Sequence, residues 1–120
     1  MHPANLALRF FVEIAALGGF SVLTLRLTDG LWRYLAVILV LALLMTLWGV
    51  FAVPEDPSRS GNAPVRVPGG LRLLLEFAIL FGGAWAFHAA GYSWAGHSLA
   101  GLVVVHYLLW TNRIVWLLQN

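Results

Sequence analysis

Two pairs of ionisable residues stand where ionisable residues should be scarce. LRFFVEIAAL, Leu8 to Leu17, and LRLLLEFAIL, Leu71 to Leu80, each place an arginine four residues before a glutamate in an otherwise apolar run. Leu, Arg, Glu, Ala and Leu recur at the same five places. Residues four apart share one face of a helix. At about 1.5 Å rise per residue, each glutamate lies about 6 Å further along the axis than its arginine. In a membrane helix the long arginines snorkel to the headgroups, and the shorter glutamates stay deep. A charge at depth costs about 2.5–3.5 kcal/mol on insertion scales, so such residues face protein and pair. Arg9 and Arg72 therefore pair with Glu13 and Glu76, either within each helix or crossed, Arg9 with Glu76 and Arg72 with Glu13. A carboxylate that exchanges its arginine for a proton or cation could couple transport. A pair that only fixes helix register does no chemistry. An interaction site for lipid or another subunit is the third reading.

The same polar layer receives residues from elsewhere in the chain. Trp48 reaches it from TLWGVF, and Trp110, Asn112 and Arg113 from LLWTNR. Three arginines against two glutamates leave a surplus of one positive charge, able to hold an anion, a lipid phosphate, a partner carboxylate or only water. His106 lies about ten residues into the last apolar run, near mid-membrane at about 1.5 Å per residue. It is a candidate proton relay, or a neutral histidine bonded across to a neighbouring helix. His88 and His97 stand near one another in sequence, but no acid or cysteine accompanies them, so no metal site is expected. No Ser/His/Asp constellation, H-E-x-x-H or phosphate loop is present. The expectation is a protein that is not an enzyme and has no cofactor.

The elements that must position these residues follow from composition. Of 120 residues, 61% are hydrophobic and 10% charged, against about 45–50% and 25% in soluble domains. Lysine and cysteine are absent, so disulfides and thiolate sites are excluded, and the seven arginines are too scattered for nucleic-acid binding. A membrane-crossing helix needs about 20 mostly apolar residues. Tyr34 to Val53 meets this without a charge, and the 36 residues from Phe77 to Asn112 are also uncharged. The latter run divides at GYSWAGH, Gly91 to His97. Four spans result, at about 5–26, 32–53, 71–90 and 97–118, in one transmembrane domain. Glu13 inside the first run, the lack of a clear A-x-A site and the internal recurrence of its motif argue against a cleaved signal peptide.

All five prolines fall outside these spans, four of them in PEDPSRSGNAPVRVPGG. This middle loop, 54–70, is read as extended or mobile. Arg9, Arg59, Arg66, Arg72 and Arg113 lie on the side of the loop and termini, and Arg26 and Arg33 on the other, so both termini are expected in the cytoplasm. The Arg-x3-Glu segments and the tryptophans at an offset of 62 divide the chain into two related helical hairpins, unless chance in a leucine-rich sequence produced the match. The fold class expected is an all-α, polytopic membrane four-helix bundle. Ala15 and Gly19 in the first helix, and Ala78, Gly82 and Ala86 in the third, form small-residue stripes nearly opposite the charged face. They could serve a homo-oligomer interface in the lipid bilayer, or tight packing within one bundle.

Together, NLALRFFVEIAAL, WGVFAVP, PGGLRLLLEFAI and the NR near the end resemble the YrdB family of small bacterial membrane proteins of unknown function. The resemblance spans nearly the whole chain. It implies four membrane helices and the bacterial cytoplasmic membrane, and it covers Arg9, Glu13, Trp48, Gly49, Pro54, Arg72, Glu76, Asn112 and Arg113. The middle loop departs from it, being longer and more acidic. Two functions stay in view: a proton-coupled transporter or channel for a small solute that uses the Arg/Glu layer, and a noncatalytic accessory or scaffold subunit.

Overall fold

Apolar runs this long satisfy their backbone polar groups by coiling into helices. In a computed structural model that describes residues 3–54, 56 and 64–120, they do so almost throughout. Helix α1 spans Pro3–Leu27 and α2 Trp32–Val50, joined by a turn in which Gly30 has φ +66°. Helix α3 spans Gly69–Ala89 and α4 Ser93–Leu109, joined through Gly91 at φ +97°. Both turns need the left-handed conformation that glycine adopts without steric cost. A short helix α5, Thr111–Gln119, follows α4 at an angle of 73°. Proline opens α1, where its missing N–H costs nothing.

Helix α3 lies at the centre, packed on α1, α4 and α5. The α1–α3 crossing is close because glycine faces it from both sides. A Cβ on Gly83 would strike Ala16, and one on Gly19 would meet the Gly83 carbonyl and the Phe87 ring. Val12, Ala16, Leu80, Val103 and Leu117 form the fully covered centre of the core. By contrast, none of the 19 residues of α2 is buried.

Two expectations from the sequence change, and a third, which left two alternatives, is narrowed. The fourth helical run is not continuous over 97–118: it begins at Ser93 and breaks at Trp110, whose φ of −135° and ψ of 52° leave the helical region. The bend turns Arg113 and Leu117, one helical turn apart, inward together. The middle loop is ordered where it meets the helices. Phe51–Ala52 (β1) pairs in parallel with Val65–Arg66 (β2), and Val67 donates to the Ala52 carbonyl at 3.0 Å. Within the loop, residues 55 and 57–63, Arg59 among them, lie outside the described residues. Finally, the small-residue stripe is largely taken up within the chain. Gly19 and Ala86 are buried, and a Cβ on Gly82 would touch the Phe20 ring, leaving Ala78 as the exposed member.

The glycines thus divide by what their missing side chains would meet. Gly83→Ala is expected to destabilise the fold by about 1–3 kcal/mol through overpacking. Gly101→Ala, facing open space, should be neutral or stabilise by up to about 1 kcal/mol. Thermal unfolding of the two variants in detergent reads the difference in sign.

Candidate functional site

The Arg-x3-Glu spacing does what helical geometry requires of it on both helices. Arg9 Nε lies 3.1 Å from Glu13 Oε1, and Arg72 Nε lies 2.9 Å from Glu76 Oε2. The two helices also meet through charge. Arg9 Nη2 reaches Glu76 Oε1 at 3.4 Å, so one arm of the crossed arrangement forms. The other does not: Arg72 pairs with Glu76 on its own helix rather than with Glu13. Its Nη1 instead donates to the carbonyls of Trp48 and Phe51, at 2.5 and 2.8 Å. Arg72 thereby satisfies acceptors that the end of α2 leaves open.

Glu76 is the convergence point. Its side chain is 0% exposed, and a buried carboxylate needs donors on both oxygens. Oε1 accepts from Arg9, from Arg113 Nε at 3.2 Å and from the Tyr107 hydroxyl at 2.7 Å. Oε2 accepts from Arg72 and from Arg113 Nη2. Arg113 continues outward to Asp56, with Nη1 to Oδ1 at 2.8 Å and Nη2 to Oδ2 at 3.0 Å, the fork-on-fork geometry that suits guanidinium and carboxylate. Trp48 and Trp110 are wedged between the cations. The guanidinium carbons of Arg9 and Arg72 lie 5.3 and 4.6 Å from the Trp48 ring centre, and those of Arg9 and Arg113 lie 5.8 and 5.0 Å from that of Trp110.

The layer therefore contains Arg9, Arg72 and Arg113 against Glu13, Glu76 and Asp56. Among the described residues three positive and three negative charges cancel when all are ionised, and the surplus counted from the sequence disappears. Asp56 is the residue that sequence reasoning missed. A charge deficit in the layer, with an acid two residues past Pro54, was the signal available. Tyr107 was missed as well, since it stands beside His106 in an apolar run with nothing to mark it as a carboxylate donor. Asn112 is exposed and joins none of these pairs.

His106 is fully buried at the edge of this network, its ring edge-on to those of Tyr107 and Trp110 at 4.9 and 6.1 Å between centres. Its Nδ1 is 2.8 Å from Asn5 Oδ1 on α1, while its Nε2 and Asn5 Nδ2 have no hydrogen-bond partner. This is a cross-helix polar contact with no onward hydrogen bond among the described residues. At the opposite end of the chain's long axis elements, in the α3–α4 turn, His88 and His97 face each other at 5.8 Å between ring centres, and Ser93 contacts both. No group of three or more His, Cys, Asp or Glu gathers among the described residues.

Glu13 differs from the other acids of the layer. Its side chain is 27% exposed. It borders a cleft of about 230 Å³ between α1, α2 and α3, whose walls include Ile14, Leu17, Leu44, Met45 and Ile79. Trp48 and Gly49 close the end nearest the charged layer. The cleft is thus an apolar hollow with one carboxylate on its wall.

These features define a class: a small all-helical protein with helices of membrane-crossing length, locked by a buried layer of ion pairs. Three helices are long and apolar enough to cross a membrane, or four if α4 and α5 form one bent span. The chain belongs to the YrdB family. The family described as "Protein of unknown function (DUF2568)" matches residues 7–104, a stretch that contains Arg9, Glu13, Trp48, Arg72 and Glu76. The chain is 35% identical over 120 residues to the uncharacterized protein YrdB of Bacillus subtilis (strain 168), covering 100% of this chain and 98% of that relative. No solved structure matches it.

The unequal burial of the two glutamates predicts unequal consequences. Glu76→Gln leaves three buried guanidiniums short of an anion and should cost about 3–5 kcal/mol. Glu13→Gln, at a partly exposed position with Arg9 still held by Glu76, should cost less than about 1 kcal/mol. Unfolding free energies in a mild detergent distinguish the two. Equal losses would contradict the hierarchy read from the geometry.

Proposed function

We propose that the protein is a noncatalytic, four-span bundle of the bacterial cytoplasmic membrane, and that it takes a small solute into the cleft beside Glu13. The Arg/Glu layer is then the fixed frame of that site rather than its moving part. The observation that carries the reading is the division of labour between the acids. Glu76 is enclosed by four donor side chains and has no room for a proton or cation. Glu13 has exposed carboxylate surface and a hollow next to it.

In this reading the two hairpins, α1–α2 and α3–α4, enter from the same side, and the arginine distribution supports a cytoplasmic position for the termini and middle loop. The glutamate that could couple solute movement is thus Glu13, where the repeat alone treats Glu13 and Glu76 as equivalent. A ligand that binds the folded chain stabilises it in proportion to its concentration over its dissociation constant. In lipid nanodiscs, a screen of small lipophiles should contain members that raise the unfolding temperature of the unaltered chain and fail to raise that of Glu13→Leu. A screen in which every compound acts equally on both proteins would remove the site.

A second reading rests on α2. A helix with none of its residues buried presents its whole length for contact, which suits an accessory or scaffold subunit of a larger complex. That reading predicts a stable assembly of higher mass in gently solubilised native membranes. Recovery of the chain at the mass of one copy would count against it.

A further inference from the structure

We infer that the Glu13 cleft takes a small uncharged lipophile bearing a hydroxyl donor, an alcohol or phenol, rather than an amine or an acid. The inference rests on the proposed solute site and names its ligand class. Three observations lead to it.

The first is donor and acceptor capacity. An ionised carboxylate has about four acceptor positions. The ion pair that Glu13 makes among the described residues is with Arg9 Nε, at 3.1 Å. The remaining capacity lies on the exposed part of the side chain, beside an apolar wall of Ile14, Leu17, Leu44, Met45 and Ile79; Trp48 is the donor side chain in the lining, and its indole N–H makes no hydrogen bond to Glu13 among the described residues. A ligand seated there must bring the donor itself, and the rest of it must be apolar.

The second is charge. Arg9, Arg72 and Arg113 are balanced by Glu13, Glu76 and Asp56. Glu13 is needed for that balance, because Glu76 and Asp56 alone leave one guanidinium uncompensated. An ammonium ligand would therefore add a net positive charge to a neutral layer in apolar surroundings. A carboxylate ligand would set like charges side by side. A hydroxyl donates to Glu13 and changes no charge. Nor does the neighbouring tryptophan favour a cation, since Arg9 and Arg72 already lie against the Trp48 ring.

The third is size. The cleft holds about 230 Å³, below the roughly 300–1,000 Å³ of sites for drug-sized ligands. One ring or a short chain fits, whereas a two-chain lipid does not. Gly49 gives a second handle on the same space. A Cβ there meets nothing within 4 Å among the described residues, and the position lines the cleft, so a large side chain at this position takes up part of that space.

Photolabelling of the full chain in nanodiscs tests the class. Four probes share one short alkyl chain carrying a diazirine and differ at the head: a phenol, a primary ammonium, a carboxylate and a plain hydrocarbon. The phenol probe should label Leu44 to Gly49 about tenfold to a hundredfold more than the hydrocarbon, the range expected for one hydrogen bond to a charged acceptor. Labelling should fall to the hydrocarbon level in Glu13→Leu and in Gly49→Phe. The second variant removes no charged side chain, and its unfolding temperature, measured beside the labelling, separates loss of the site from loss of the fold. Preferential labelling by the ammonium or carboxylate probe would overturn the ligand class and leave the solute site standing. Four probes labelling alike would overturn both.

Discussion

One carboxylate organises this fold. Glu76 sits on the central helix, shielded from solvent, and receives side chains from α1, α4 and α5 as well as from its own helix. Removing a charge from water is expensive, and the expense is recovered only with good geometry and complete hydrogen bonding. Each neighbour is placed to provide that. Tyr107 can donate only if α4 runs past Glu76 at the right height. Arg113 can do so only because the chain bends at Trp110. Register between helices, which apolar packing specifies loosely, is here specified by discrete polar contacts. The close glycine crossing of α1 on α3 then fixes how near the two helices lie.

The balance of the layer explains why it extends beyond the helices. Three guanidiniums around one buried carboxylate would repel one another. Glu13 compensates on one flank and Asp56 on the other, the latter contributed by a segment that does not belong to any helix. Arg72, at the junction, also closes the end of α2 through the carbonyls of Trp48 and Phe51. Helix α2, which buries none of its residues, is thus held near its C-terminal end by a polar contact and by Trp48 rather than by a packed face.

Much of this was legible in the sequence, because scarce residues carry much information in an apolar chain. The Arg–Glu spacing put each arginine on one face with its glutamate while leaving within-helix and crossed pairing open, and the two tryptophans were assigned to the same level. The length of uncharged runs located three helices to within a few residues. What escaped was whatever depended on tertiary direction. An aspartate in a Pro-rich loop carries no periodicity, so nothing local marks Asp56 as buried. Tyr107 is spaced like any core aromatic, and only the position of α3 turns its hydroxyl into a donor. The break at Trp110 has no proline or glycine to announce it; the local preference for a continuing helix yields to the ion pairs and to Leu117, which packs against Gly69. The equal standing of Glu13 and Glu76 was a reading of the repeat, and the surroundings of the two residues divide them.

The Asp56–Arg113 clasp also imposes an order of assembly. The two residues are separated by 57 positions, and chains emerge from the ribosome N-terminal end first. When α1 and α3 have both been made, Glu76 already has Arg9 and Arg72 within reach. Asp56 must wait for the segment after α4. Until then the Arg113 fork on Asp56 cannot form, and the flank of α3 against which Leu117 packs stays open. The final turns of the chain thus act as a keystone: they add little length, but they close the loop, complete the neutral layer and cover the last uncovered face of the central helix in a single step.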